Sequence, residues 1–133
     1  MVKQLMPKAS YQRLEANKNA VLIDVRSQAE CKFVGHPPMA LWIPWADDPH
    51  WLPAPQEFVG AVNDALGENA AHTEILLICR SGQRSNSAAQ CLVSHGFTNV
   101  ANVVNGFEGE LDEHKHRSSK SGWRYDGLPW EQG

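Results

Sequence analysis

The sequence contains little that would support a disulfide-bonded, metal-binding or membrane-spanning protein. Its three cysteines are an odd number and none forms a C-x-x-C pair, so neither a disulfide scaffold nor a zinc cage is expected. No apolar run approaches the roughly 20 residues that a membrane-spanning helix needs. The N-terminus lacks an apolar segment followed by a small-residue cleavage site, which predicts a cytoplasmic protein. We expect neither a metal nor a cofactor.

An excess of basic charge is also missing. Twelve Lys and Arg stand against 15 Asp and Glu, and the net charge of −3 is spread without a broad basic surface. Nucleic acid and anionic membranes are therefore not expected as partners. What the chain does have is 42% hydrophobic residues over 133 positions, which is enough for the core of one domain.

Two hydrophobic periodicities alternate along the chain. Short apolar runs rich in β-branched residues predict strands at 20–25, 41–43, 74–78 and 100–104. Segments with apolar residues three and four apart predict helices at 10–19, 28–33, 56–66 and from 83 or 84 to 95. This alternation indicates an α/β fold with a parallel sheet, and the continuous apolar run 74–78 predicts its central strand.

Cys79 ends that central strand, directly before a polar loop. Ligands of open α/β sheets bind at the carboxyl ends of the strands, which makes Cys79 a candidate nucleophile. The next helix begins within about five residues, so its free N–H groups and dipole favour a thiolate. Gly82 allows the backbone to turn its N–H groups inward. The cradle predicted for an anion is completed by the side chains of Arg80, Ser81, Gln83, Arg84 and Ser85.

The length of this loop separates two chemistries. Thiolate phosphatases space their Cys and Arg with five residues between them, in a ring wide enough for a phosphate. Only four residues separate Cys79 from Arg84, and Ser85 occupies the phosphatase position of the Arg. A tighter ring favours a single sulfur atom bound to Cys79 as a persulfide. A phosphatase or arsenate reductase is the alternative, and a buried structural cysteine is a further one.

Four groups of residues resemble the rhodanese (thiosulfate sulfurtransferase-like) family. They cover most of the chain from about 10 to 129, and together they are specific. They are Leu22-Ile23-Asp24-Val25-Arg26 with Glu30, Gly35-His36-Pro37-Pro38 and Ile43-Pro44; the loop Cys79 to Arg84; His95-Gly96-Phe97 with Asn99-Val100; and Asn105-Gly106-Phe107 with Gly122-Trp123 and Gly127-Leu128-Pro129-Trp130.

The resemblance implies a three-layer sandwich, a five-stranded parallel sheet with helices on both faces. It also implies a cycle in which Cys79 takes sulfane sulfur from thiosulfate or a persulfide and passes it to cyanide, a thiol or a protein cysteine. The chain departs from the family pattern at Met39, at Cys31 and in a charged insertion at 108–121. A non-catalytic binding module of the same fold is a third hypothesis, which the intact Cys79 disfavours.

Other polar residues near the predicted site are interpreted as structural. A pair of Arg26 with Glu30, four residues apart on the short helix that Ser27 caps, explains Arg26 without catalysis, and Asp24 is assigned with it. His36 is expected to be held by hydrogen bonds in a rigid Gly-Pro turn.

Aromatic residues supply the candidate walls of a pocket. Trp45 and Trp51 follow the third predicted strand, at the carboxyl edge of the sheet, and form a candidate pocket wall or protein-docking patch; Phe107 is a further candidate wall. Two further features are interpreted without a catalytic or metal-binding role. The run 114–117 is interpreted as a solvated charged segment, and Cys91 as a core residue that shares an inner helix face with His95. A disulfide between Cys31 and Cys79 is left open.

Overall fold

All five strands of the protein lie parallel in one sheet. The structure, a computed structural model, describes residues 1–133. The strands are β1 (Lys3–Leu5), β2 (Val21–Asp24), β3 (Leu41–Trp42), β4 (Ile75–Ile78) and β5 (Val100–Val103). The helices are α1 (Pro7–Ala16), α2 (Gln28–Phe33), α3 (Pro55–Leu66) and α4 (Gln83–Ser94), with a 3₁₀ turn at Gly67–His72. The strand order β1-β5-β4-β2-β3 places β4 at the centre, as predicted.

Two hydrophobic clusters, one on each face of the sheet, hold the helices. Residues of α3 and α4 such as Phe58, Val62 and Leu92 pack with Ile23, Leu77 and Cys79 on one face. Leu22, Leu76 and Ile78 point to the other face, where they pack with Phe107 and Trp123, and α1 covers them with Tyr11 and Leu14. The period of two along β2 and β4 therefore sends neighbouring side chains into different clusters. The predicted α/β sheet with helices on both faces is confirmed.

The N-terminal part of the chain differs from the prediction. Strand β1 was not predicted, because Lys3–Leu5 is three residues long, lies at the sheet edge and has no apolar run. Helix α1 begins at Pro7 and not at the predicted Ser10, since proline is well suited to the first turn of a helix. Ser10 is instead buried within the helix and its hydroxyl donates to Met6 O at 2.9 Å.

The segment after β5 folds without helix or strand onto the face that carries α1. The ring of Trp123 is fully buried there, and its Nε1 donates to Pro129 O at 2.8 Å. Gly109 and Gly122 make a close backbone contact that brackets the 108–121 insertion, because a Cβ on Gly109 would lie 1.9 Å from Ser121 O. Helices of the chain are all too short or too polar to cross a membrane.

Candidate active site

Cys79 lies at the carboxyl end of the central strand, one residue after β4, and only 1% of it is exposed. Two donors reach its sulfur. Gly82 N donates to Cys79 Sγ at 3.1 Å, and Ser85 Oγ lies 3.2 Å from the same atom. Gly82 caps α4 in the left-handed region with φ of 106°, which turns its N–H inward as the sequence predicted. The sulfur is thus placed at the positive end of a helix, in a setting that stabilises negative charge.

Ser85 belongs to a buried chain of hydrogen bonds that the sequence analysis missed. Its hydroxyl also donates to Asn102 Oδ1 at 2.5 Å, so one proton serves two acceptors. Asn102 Nδ2 in turn donates to Gly82 O at 3.2 Å and to Gln4 Oε1 at 2.9 Å. Asn102 therefore holds both groups that contact the sulfur. The available signal was a polar residue inside the buried strand β5, where it needs partners.

Arg84 forms a bidentate ion pair with Glu30, at 2.7 Å from Nη1 to Oε1 and 2.8 Å from Nη2 to Oε2. Glu30 Oε1 also accepts from Ser27 N and Ser27 Oγ, and Ser27 Oγ accepts from Glu30 N, which forms a capping box at the start of α2. Burial alone would raise the pKa of Glu30, but the hydrogen bonds and charge of Arg84 and the two bonds from Ser27 lower it to about 2. The guanidinium of Arg84 is committed to this carboxylate, so its predicted place in an anion cradle is corrected: Arg84 joins the loop to α2.

Arg26 does not pair with Glu30, so that prediction is wrong. Its fully buried guanidinium contacts Asp24, at 2.9 Å from Nε to Oδ1 and 2.7 Å from Nη2 to Oδ2, and also Gly35 O at 2.7 Å. The side chain of Arg26 precedes α2 and points into the face opposite Cys79, where it lies 4.5 Å from the centre of the Phe107 ring. The spacing of four residues was misleading, because Ser27 and not Arg26 begins the helical turn.

Arg80 is the cation of the loop with a free side chain. Arg80 is exposed, and its side chain makes neither an ion pair nor a hydrogen bond. Its backbone oxygen accepts from Glu108 N at 2.9 Å and from Gly109 N at 3.3 Å. The first residues of the insertion thus support the loop. Ser81 is half-buried and Gln83 is exposed, and both line a cavity of about 260 Å³ beside the loop, together with Gln4, Asn86 and Asn102.

Of the three residues predicted to wall a pocket, Phe107 does not do so, and that prediction is wrong. Its ring is fully buried in the cluster opposite Cys79 and packs against Trp130 at 6.2 Å, so Phe107 is a core residue. Trp45 is half-buried and packs edge-on against Phe58 at 5.3 Å. Trp51 stays 49% exposed in the loop before α3.

His36 and the charged insertion have the surroundings that the sequence indicated. His36 Nδ1 lies 3.1 Å from Cys31 O, and its backbone pairs with that of Glu131 in an isolated antiparallel bridge. His114, Lys115 and His116 are exposed, and the side chain of Asp112 accepts from the backbone of the two histidines. No group of three or more His, Cys, Asp or Glu side chains is arranged to hold a metal ion.

All three cysteines are free thiols. Cys31 lies beside Asp24, and burial together with that carboxylate raises its pKa to about 12. Cys91 is half-buried against the cluster of Cys79, and burial raises its pKa as well. The predicted inner face shared by Cys91 and His95 is wrong in part, since His95 is exposed at the helix end. Cys79 is therefore the thiol with hydrogen-bond donors aimed at its sulfur.

Comparisons with known proteins agree with this architecture. An uncharacterized protein of Rickettsia conorii is 30% identical over 135 residues, covering 98% of each chain. The crystal structure of Rv0390 from M. tuberculosis is 34% identical with a TM-score of 0.86, covering 99% of this chain and 98% of that one. The adenylyltransferase and sulfurtransferase UBA4 of Candida albicans is 28% identical over 111 residues, which are 83% of this chain and 24% of that protein.

The family model that matches is the rhodanese-like domain, over residues 6–112. This range includes β2, α2, the Cys79 loop and β5, which are the elements that build the site. It ends inside the 108–121 insertion, so the closing segment with Trp123 lies outside the match. With a match over most of the chain and a structural neighbour that spans it, this chain belongs to the rhodanese-like domain family.

Proposed function

We propose that the protein is a sulfurtransferase that carries sulfane sulfur as a persulfide on Cys79. The Cys79 thiolate attacks the outer sulfur of thiosulfate, the S–S bond breaks, and sulfite leaves with the electron pair. An acceptor nucleophile, either cyanide or a thiolate, then attacks the outer sulfur of the persulfide. Cys79 leaves as the thiolate, and the product is thiocyanate or a new persulfide. No cofactor takes part in either step.

One observation carries the proposal: the buried Sγ of Cys79 receives two donors at the N-terminus of α4, inside a loop of only six residues from Cys79 to Arg84. Gly82 N–H and the Ser85 hydroxyl would stabilise the negative charge that returns to Sγ when the sulfur departs. Membership of the rhodanese-like family and the name of the Candida relative as a sulfurtransferase support the same chemistry.

The two arginines have different tasks in this proposal. Arg80, exposed and unpaired at the rim of the loop, would attract an anionic donor such as thiosulfate. Arg84 would act through the loop, since its ion pair with Glu30 fixes the start of α4 relative to α2. The hydrogen bonds and charge of Glu30 raise the pKa of Arg84, and Cys79 adds a smaller contribution in the same direction.

Intact-mass spectrometry after incubation with thiosulfate tests the proposal. Sulfur loading predicts a gain of about 32 Da that cyanide removes. The Cys79→Ser variant should gain nothing, whereas the matched Cys91→Ser variant should load like the parent chain. An adduct that survives Cys79→Ser, or no adduct with thiosulfate and other persulfide donors, would refute it. Turnover of a small aryl phosphate that depends on Cys79 would favour the phosphatase alternative, and neither activity would favour a binding module.

A further inference from the structure

The charges of the chain are strongly segregated. Residues 33–79 contain six Asp and Glu but no Lys or Arg, whereas the rest of the chain carries nine acidic and 12 basic residues. Of these six acids, Glu74 is paired with Arg13. The other five, Asp47, Asp48, Glu57, Asp64 and Glu68, make no ion pair. The region built from β3, the following loop and α3 therefore presents negative charge that no ion pair compensates.

An apolar groove lies within this acidic region, between the loop after β3 and α3. Its volume is about 290 Å³, and seven of its ten lining residues are hydrophobic, with Trp45, Leu52 and Phe58 among them. We call it the α3 groove. Leu52 is 74% exposed at its side, a large apolar side chain left in water. Such a concentration of apolar surface is typical of an interaction site.

Acidic side chains border the α3 groove. Asp47 and Glu57 line it, and Asp48 follows Asp47 on the exposed loop. Along α3, the exposed residues Glu57, Ala61 and Asp64 follow one another at helical spacing, so the negative rim continues beyond the cavity. A ligand of the α3 groove must therefore combine apolar side chains with positive charge.

The α3 groove and the Cys79 loop share supporting residues. Ile43 and Phe58 of the groove belong to the same core cluster as Cys79. Trp45 N donates to Val25 O at 2.9 Å, and Val25 N donates to Ile78 O, the residue before Cys79. The groove also follows the end of β3, and the carboxyl ends of parallel strands lie at one edge of the sheet.

We propose that the α3 groove docks a basic segment of a partner protein, with aliphatic side chains in the groove and Lys or Arg against its acidic rim. Given the proposed function, on which this identification of the partner rests, the partner is the protein that supplies or receives the sulfur. A second copy of this chain would bring the same acidic face against itself, and an anionic membrane surface would be repelled in the same way.

Nuclear magnetic resonance titration of the isotope-labelled full chain tests the docking. The probe is a short synthetic peptide of Lys, Ala and Leu, with the leucines at helical spacing. We expect it to shift backbone amides within 43–61, with an affinity that falls about tenfold between low and high salt. Two control peptides, with every Lys replaced by Glu or every Leu by Ser, should leave these amides unshifted. Equal binding of either control, or shifts that lie elsewhere, would overturn the proposal.

Variants of exposed residues keep the test independent of folding. Glu57→Lys and Leu52→Ser should each weaken peptide binding about tenfold or more, because they remove a rim charge and an apolar contact. Glu113→Lys, a charge reversal on the exposed insertion, is the matched control and should bind as the parent chain does. Unchanged binding by both groove variants would refute the docking. Sulfur loading of Cys79 from thiosulfate is measured on the same samples, and its failure beside intact docking would refute the proposed function alone.

Discussion

Replacing Glu30 by Gln removes the charge that holds Arg84, and it should destabilise the fold in a pH-dependent manner. Gln keeps one oxygen for Ser27 but presents an NH₂ group to the guanidinium in place of the second carboxylate oxygen. The side chains of Glu30 and Arg84 are 21% and 29% exposed. In the variant, Arg84 would therefore stay half-buried without the negative charge of its partner. Breaking such a pair by removing one partner is much more costly than deleting a surface ion pair.

The free energy by which the Glu30 carboxylate stabilises the fold follows from its pKa, which is lowered from 4.5 to about 2. That difference of about 2.5 units corresponds to about 3.4 kcal/mol, which partial exposure reduces to about 2 to 3 kcal/mol. Because the pKa is lower in the folded state, the stabilisation is fully present above pH 4.5 and is lost as the pH falls from there toward 2. At pH 3 about 1 kcal/mol should remain.

Urea denaturation of the parent chain and of Glu30→Gln at pH 7 and pH 3 measures this effect. The difference in the free energy of unfolding should be about 2 to 3 kcal/mol at pH 7 and should narrow to about 1 kcal/mol at pH 3. Glu110→Gln, an exposed carboxylate outside the helices and without an ion pair, is the control and should change stability by less than about 0.5 kcal/mol at either pH. A Glu30→Gln difference that is the same at both pH values would show that the ion pair does not stabilise the fold.

Four further predictions concern the Cys79 loop and the thiol of Cys31. Ser85→Ala removes one of the two hydrogen-bond donors at Cys79 Sγ and should lower the rate of sulfur loading from thiosulfate about tenfold. Arg80→Ala should lower kcat/KM for thiosulfate about tenfold but leave loading from an uncharged persulfide unchanged. An equal loss with both sulfur sources would contradict the role of Arg80. Gly106→Ala should lower the free energy of unfolding, measured by urea denaturation, by about 2 to 4 kcal/mol. Its Cβ would lie 2.4 Å from Cys79 O, and the φ of Gly106 is 59°. A loss below about 0.5 kcal/mol would refute the close approach of Gly106 to Cys79. Cys31, with a pKa of about 12 against an ordinary 9.0, should react with iodoacetamide at pH 8 roughly a thousandfold more slowly than an ordinary thiol, and peptide mapping that finds it labelled first would contradict its burial beside Asp24.

Most elements of the fold could be predicted from local patterns. Strands such as β4 and the helix α4 have strong periodicity and clear ends, and they lie within two residues of their predicted bounds. Strand β1 could not be predicted in this way. Its three residues have no pattern of their own, and they are ordered by parallel pairing with β5 across almost the whole chain, from Lys3 to Ala101.

The candidate site likewise combines local features, which could be predicted from the sequence, with long-range contacts, which could not. The backbone around Cys79 could be predicted, since a strand end, a left-handed Gly82 and a helix start within five residues depend on local geometry. The residues that hold this loop are distant in sequence, and each interaction required the folded sheet. Asn102 reaches Gly82 and Ser85 from β5, and Glu30 reaches Arg84 from α2.

The sequence by itself determined the family, the α/β class and the position of the thiol, because these depend on periodicity and on motifs whose residues are neighbours along the chain. Only the tertiary structure decided which partner each charge takes. Arg26 pairs with Asp24 because both lie at the end of β2 on the face that carries Leu22 and Phe107, and Arg84 pairs with Glu30 because α2 carries its carboxylate to the loop. Charge pairing depends on distance in space, and spacing along a chain fixes that distance only within one helix or turn.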